Sequence, residues 1–314
     1  MIRRRTMVSQ VEDYLTQRRQ AGFDLGIAGR QLLSFARFAD GAHHVGPVTL
    51  ALAIRWAQSA RHGTPLTWAR RFEVLRPFTK HVMQFADRPE IIPSRYFGPA
   101  HRRLAPHIYT DREIVDLLDA ARRLAPSTGL RPLTYYTLFG LLAATGLRLS
   151  EALYLNAHDV ERTLLTVRQT KFRKSRLVPL HATTAAALDR YADTRQRRFG
   201  HLAVERFFVS DRGTPLAART VEWTFAGLRA QLGWVARGGH AFPRLHDMRH
   251  TYICRRLLRS YEAGRSIDHV VDILSTYVGH AKVSDTYWYV SATPELMTIA
   301  AKRFLPMARL RGAS

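Results

Sequence analysis

Tyr289 stands downstream of Arg148, Lys171, His246, Arg249 and His280, and these six side chains hold the chemistry this sequence has to offer. A phenol has a reference pKa of ~10, so it attacks at neutral pH only where cations and a base activate it. Two arginines can each hold a pair of phosphate oxygens. A lysine can give a proton to a departing oxygen, which an arginine does poorly. The set therefore suits attack of a tyrosine on a DNA phosphate.

Each residue has a local setting. Arg148 lies in Thr-Gly-Leu-Arg-Leu-Ser-Glu (145–151), where Gly146 permits a tight approach and Glu151, three residues on, can orient the guanidinium. The alternative is a surface Arg–Glu pair worth a few tenths of a kcal/mol. Lys171 lies in Thr-Lys-Phe-Arg-Lys-Ser-Arg-Leu-Val-Pro-Leu (170–180), with Lys174 as its local competitor for the acid; Arg173, Lys174 and Arg176 are expected to grip the DNA backbone. His246 and Arg249 share a helical face by their spacing of three. His246 can accept a proton or bond a phosphoryl oxygen. Zinc held by His246 and His250 is the alternative, but the internal Glu of a His-Glu-x-x-His site and a third ligand are missing. His280 follows Gly279 at a turn, and Tyr287 and Trp288 beside Tyr289 suit packing.

The elements that must carry these groups are mostly helical. Over 1–88 the spacing of Leu32, Leu33, Phe35 and Phe38, and of Trp68, Phe72, Leu75, Phe78, Val82 and Phe85, predicts helices with buried faces. Arg70, Arg71, Arg76 and Lys80 fall between the apolar positions and are expected to face DNA. Pro89, Pro93, Pro99 and Pro106 predict a linker over 89–108. Thr110 and Glu113 read as a capping box opening the next helix, and another is expected over 132–144. The period then changes: Leu164, Leu165 and Val167, and Leu177, Val178 and Leu180, predict short strands around a basic turn. A further short strand is expected over 206–210. The final third reads as helical, with a loop at 238–243 before the helix that carries His246 and Arg249. The fold class is mainly α with a small β-sheet.

Composition narrows the partner. The formal charge is +23, and 17 Lys/Arg against 7 Asp/Glu in residues 1–110 leave both halves of the chain basic. Such a chain is expected to touch a polyanion along much of its length. Cys254 is the single cysteine, which excludes an internal disulfide and a cysteine-rich zinc site. Arg3–Arg5 are followed by Ser9, Gln10, Glu12 and Asp13, not by the apolar core of a signal peptide. No stretch reaches the length of a membrane span. The cytoplasm, in association with the nucleoid, is the expected compartment.

Taken in order and spacing, residues 145–151, 171–180, His246-x-x-Arg249-His250 and Gly279-His280…Tyr289 resemble the tyrosine recombinase (phage integrase) family. The resemblance is specific across 107–290 and general before that. It implies a helical core-binding domain (1–88), a linker (89–108), a mixed α/β catalytic domain (109–290) and a tail (291–314) that can contact a neighbouring subunit. It also implies that Arg148 and Arg249 bind the scissile phosphate, Lys171 protonates the leaving 5′ oxygen, and His246 and His280 assist. Tyr289 then attacks, and Glu151 supports Arg148. One departure is Phe172, where the family often has glycine beside the lysine. Double-stranded DNA with a specific site, a homo-oligomer on DNA that can include related recombinases, and no cofactor or metal follow from the resemblance. Residues 286–297 look like recombinases of bacterial mobile elements. The competing readings are a type IB topoisomerase, which returns the same strand, and a catalytically silent DNA-binding protein.

Overall fold

The computed structural model describes residues 5–61, 63–85, 90–101, 103–168, 175–200 and 205–292. Over these residues the fold is mainly α, with twelve helices and one two-stranded antiparallel sheet. The chain forms two compact units that divide between Arg103 and Leu104.

The first unit contains α1 (Met7–Gln20), α2 (Gly26–Gly41), α3 (Leu50–Gln58) and α4 (Pro65–Val82). Thr6, Thr49 and Thr64 cap α1, α3 and α4 by accepting from the N–H three residues on, which satisfies donors that the helix itself leaves open. Asp40 on α2 does the same across space. Its two carboxylate oxygens accept from the N–H groups of Met7 and Val8 at 2.8 and 3.0 Å. Phe72, Leu75 and Phe78 of α4 are buried with Phe35 and Trp56, and Trp68 and Val82 pack against them. The aromatic stripe is thus core, and the Phe85 side chain falls outside the described residues. Residues 90–101 form no helix and are partly buried. Ile92 and Ala100 are buried, and the ring of Phe97 meets that of Phe72 edge-on at 5.4 Å.

The second unit opens on α5 (Asp111–Arg122), whose Thr110–Glu113 capping box is formed in both directions. It continues with α6 (Arg131–Thr145), α7 (Leu149–Leu153), β1 (Leu164–Val167), β2 (Arg176–Pro179), α8 (Ala182–Phe199), α9 (Ala218–Gln231), α10 (Asp247–Glu262), α11 (Ile267–Val278) and α12 (Ser284–Ala292). The central helix is α6, in contact with α5, α8 and α10; Tyr135, Leu138, Phe139, Leu141 and Leu142 bury its apolar faces. A second apolar cluster joins Ile253 and Leu257 of α10, Val271, Leu274 and Val278 of α11, and Tyr289 of α12.

In the hairpin, Leu165 pairs with Val178 and Val167 with Arg176. Successive strand residues alternate between faces, so Arg176 shares the inward face of the buried Val178. Residues 206–210 do not form the expected strand. They make isolated bridges, Asn156 to Arg206 and Val209 to Pro215. Phe207, Phe208 and Val209 are all buried, so this apolar run is enclosed core without a ladder of its own. Among the described residues no helix is long and apolar enough to cross a membrane.

Candidate active site

Two glycines that end helices build the scaffold. Gly146 closes α6 at φ 65° and Gly279 closes α11 at φ 68°, in the left-handed region that other residues enter at a cost of roughly 1–2 kcal/mol. Each turn exposes carbonyls at the negative end of a helix, where a cation is favoured. The Arg249 guanidinium, only 2% exposed, donates to Gly146 O at 2.8 Å and to Val278 O at 2.6 Å. Arg148 donates to Gly279 O through both terminal nitrogens at 3.3 Å. A guanidinium has five N–H donors, more than these carbonyls take up, so both remain able to bind an oxyanion. Burial, then the neighbouring charge of Arg148, lowers the Arg249 pKa to about 10, which still leaves it protonated at pH 7.

Glu151 joins Arg148 to Arg176. Its carboxylate accepts from the Arg148 backbone N–H at 3.0 Å and from Arg148 Nη1 at 2.8 Å. It also accepts from Arg176 Nη1 and Nη2 at 3.1 and 2.9 Å, while Arg176 Nε donates to Tyr277 O at 2.8 Å. Burial works to raise the Glu151 pKa, but hydrogen bonds and charge from Arg176 and Arg148 outweigh it and hold the carboxylate below its ordinary range. Arg176 therefore corrects the sequence reading: it is turned inward and joins the hairpin to the Arg148 site, where a DNA-gripping cation was expected. The parity of β2 is the signal that could have found it.

A Cβ on Gly279 would lie 2.7 Å from Arg176 Nη1. Gly279→Ala is expected to lower the Tm by several degrees, at ~2–4 °C per kcal/mol for a unit of this size. It should also slow cleavage by at least about tenfold by moving Arg176 and Arg148. Thermal melts and a single-turnover assay check both effects.

The start of α10 is fixed by Asp247, fully buried, which accepts from Arg244 N at 2.8 Å and Arg244 Nη2 at 2.7 Å. Tyr109 reinforces it, its N–H donating to Thr251 Oγ1 and its hydroxyl to Arg244 O, both at 2.9 Å. From this rigid start His246, Arg249 and His250 project. His246, just before α10, is exposed at its surface and partly desolvated by the protein around it. That desolvation, then Arg249 and Arg244, lowers its pKa to about 4. His250, four residues on, sets its ring edge-on to His246 at 4.9 Å.

Tyr289, 4% exposed, sits among three rings. Its hydroxyl lies 2.7 Å from His250 Nδ1. The His280 ring runs parallel to it with centroids 6.2 Å apart, and Trp288 meets it edge-on at 5.1 Å. His280 Nδ1 lies 2.7 Å from Thr286 Oγ1. Residues 278–280 thus gather Arg249, Arg148 and the His280 ring, and His250 ties Tyr289 to the helix that carries Arg249. Sequence reasoning missed His250 as a partner of Tyr289, although its spacing of four from His246 placed both on one face. Lys171, Arg173 and Lys174 lie outside the described residues. Among the described residues no group of three or more His, Cys, Asp and Glu side chains could hold a metal.

Burial, then His246, Arg244, Arg249 and His280, lowers the His250 pKa to about 3. The unfolded chain has ordinary histidines near ~6.5, so it takes up protons first as the pH falls. The stability tied to a neutral His250 is complete above pH ~6.5 and is lost progressively toward pH 3. Acidification from pH 7 to 5 is expected to cost about 2 kcal/mol at this residue. Melting curves of the wild type and His250→Asn across that range check it, the variant showing the smaller drop.

In the first unit the basic residues expected at DNA have mixed settings. Arg71 stacks over Trp56 at 4.3 Å and donates to Ala57 O, so it faces inward. Arg76 pairs with Glu73 at 3.1 Å. Arg70, which donates to Ala100 O at 3.3 Å, and Lys80 are exposed.

Comparison with known proteins bears on the whole arrangement. The model of the Phage integrase family matches residues 108–295. A candidate integrase/recombinase of Sinorhizobium fredii, y4rB, is 39% identical over 304 residues, covering 95% of this chain and 96% of that protein. A second from the same organism, y4rE, is 35% identical over 95% of this chain and 96% of its own length. Among solved structures, the Tn1549 transposon integrase in complex with transposon right end DNA superposes with a TM-score of 0.68 at 17% identity, covering 95% of this chain and 99% of that one. With the family's model matched over more than half its length, the chain belongs to the phage integrase family and is a tyrosine recombinase, an enzyme of site-specific DNA strand breakage and rejoining.

Proposed function

We propose that Arg148 and Arg249 clamp the scissile phosphate of duplex DNA while Tyr289 attacks it, forming a 3′-phosphotyrosyl bond and releasing a 5′ hydroxyl. Lys171 protonates the departing 5′ oxygen. His246 and His280 assist proton transfer and charge stabilisation, and Glu151 positions Arg148. A 5′ hydroxyl from the partner strand then attacks the intermediate and regenerates Tyr289. The covalent link conserves the bond energy, so neither ATP nor a cofactor is consumed, and fixed cations stabilise the charge that develops on phosphorus. The observation that carries this reading is the turn at 278–280, where Arg249 and Arg148 bond adjacent carbonyls and the next residue, His280, lies against the Tyr289 ring.

The biological reaction is the mobilisation of a genetic element by integration, excision or transposition at a specific double-stranded site, on nucleoid DNA in the cytoplasm. The resemblance in fold to the Tn1549 transposon integrase supports that setting. The first helical unit grips duplex DNA, residues 109–290 carry the chemistry, and a homo-oligomer assembles on DNA, with residues 291–314 reaching a neighbouring subunit and related recombinases able to join. The test is covalent capture on a nicked suicide substrate carrying the element's end sequence. The expected product is an adduct whose DNA-bearing peptide contains Tyr289. Specific binding with no adduct, or an adduct at another residue, overturns the reading.

A further inference from the structure

We infer that Arg176 is a positioning residue for cleavage, bracing the two groups that seat Arg148; the inference rests on Arg148 being part of the phosphate clamp. Three consecutive carbonyls end α11, and each takes an arginine. Tyr277 O accepts from Arg176 Nε at 2.8 Å, Val278 O from Arg249 Nη2 at 2.6 Å, and Gly279 O from Arg148 at 3.3 Å. Such carbonyls lack partners within their own helix and lie at its negative end. The proposed reaction uses Arg249 and Arg148 and gives Arg176 no part.

Arg148 is held from two sides, by the Glu151 carboxylate and by Gly279 O. Arg176 connects those same two sides. Its Nε is fixed to the turn at Tyr277, and its terminal nitrogens grip both oxygens of Glu151 at 3.1 and 2.9 Å. A planar fork of this kind sets the orientation of a carboxylate as well as its place. The carboxylate's other two bonds come from Arg148 N and Nη1. Arg176 is the more enclosed of the two arginines, its side chain 11% exposed against 30% for Arg148, so Arg148 is the one open to a phosphate. Charge follows the same division. Arg148 and Glu151 alone would cancel, whereas two guanidiniums sharing one buried carboxylate leave a net positive charge beside the clamp.

The test is single-turnover cleavage of the nicked suicide substrate and of its analogue with a neutral methylphosphonate at the scissile position. The methyl group removes the charge that the clamp meets, so a residue acting through the clamp matters less there. A loosened fold slows both substrates alike. Arg176→Met is expected to cleave the phosphate about 10²-fold more slowly, with specific DNA binding within about twofold of the wild type. On methylphosphonate its deficit should fall below about tenfold, in parallel with Arg148→Ala. Added to Glu151→Gln, the same substitution should cost no more than about threefold, as expected of groups in one network. Arg176→Lys keeps the charge without the fork and should cleave at an intermediate rate; it carries both comparisons should the methionine variant fail to fold. Wild-type rates in Arg176→Met, an equal deficit on the two substrates, or an undiminished one beside Glu151→Gln overturn the proposal. Those results leave the clamp standing where Arg148→Ala is slow on phosphate. An Arg148→Ala variant that cleaves phosphate like the wild type overturns both readings.

Discussion

Tyr289→Phe abolishes the covalent protein–DNA adduct and leaves specific DNA binding within about twofold, since phosphate contacts elsewhere set the affinity. The substitution removes one oxygen from a ring enclosed by His250, His280 and Trp288. The ring contacts persist, and the hydrogen bond to His250 that is lost is worth about 1 kcal/mol. The fold is therefore expected to survive with a small change in Tm, so that missing adduct reports chemistry and not unfolding. Tyr287, two residues earlier, donates to Asp268 Oδ1 at 2.6 Å on the exposed surface and is no substitute nucleophile. Gel capture of wild type and variant on one substrate, alongside a binding titration, reads both effects. Adduct formed by the phenylalanine variant at anything near the wild-type rate would remove Tyr289 from the mechanism.

Arg249→Lys is expected to cut the cleavage rate by about 10³ with little change in DNA binding. Charge is kept, but geometry is not. One planar group now reaches Gly146 O, Val278 O and, in the proposed reaction, a phosphate oxygen, whereas an ammonium offers a single point. Arg249→Ala should do more harm to the fold, because each buried carbonyl left without a donor costs about 1–3 kcal/mol. Comparing the two variants by single-turnover cleavage and by thermal melts separates the electrostatic contribution from the structural one. A lysine variant that cleaves like the wild type would mean that Arg249 serves only to join two helix ends.

What the sequence revealed in advance was local. The Thr110–Glu113 box involves residues three apart, and the hairpin shows itself by its period, so both could be read along the chain. Arg176 was assigned to DNA because its neighbours Arg173 and Lys174 are basic; the alternation with Val178 held the better answer. The arginines' resting partners could not be read, since Gly146, Val278 and Gly279 contribute backbone carbonyls that no residue type announces. The contact between His250 and Tyr289 joins helices α10 and α12 and depends on how they pack. For 206–210, three consecutive apolar residues suggested a strand, and only the surrounding core decides that they are buried without one.

The hairpin has a consequence for divergence among relatives. Both of its feet are fastened: Arg168 Nε donates to the buried Asp159 at 2.5 Å, and Arg176 is held by Glu151 and Tyr277. With both strands fastened in this way, a longer connection between them is expected to leave strand register and the Arg148 site unchanged, at an entropic cost of only about 0.6 kcal/mol for each doubling of its length. In the proposed mechanism, the length of the connection between β1 and β2 is constrained by the chemical role of Lys171, and hardly at all by stability.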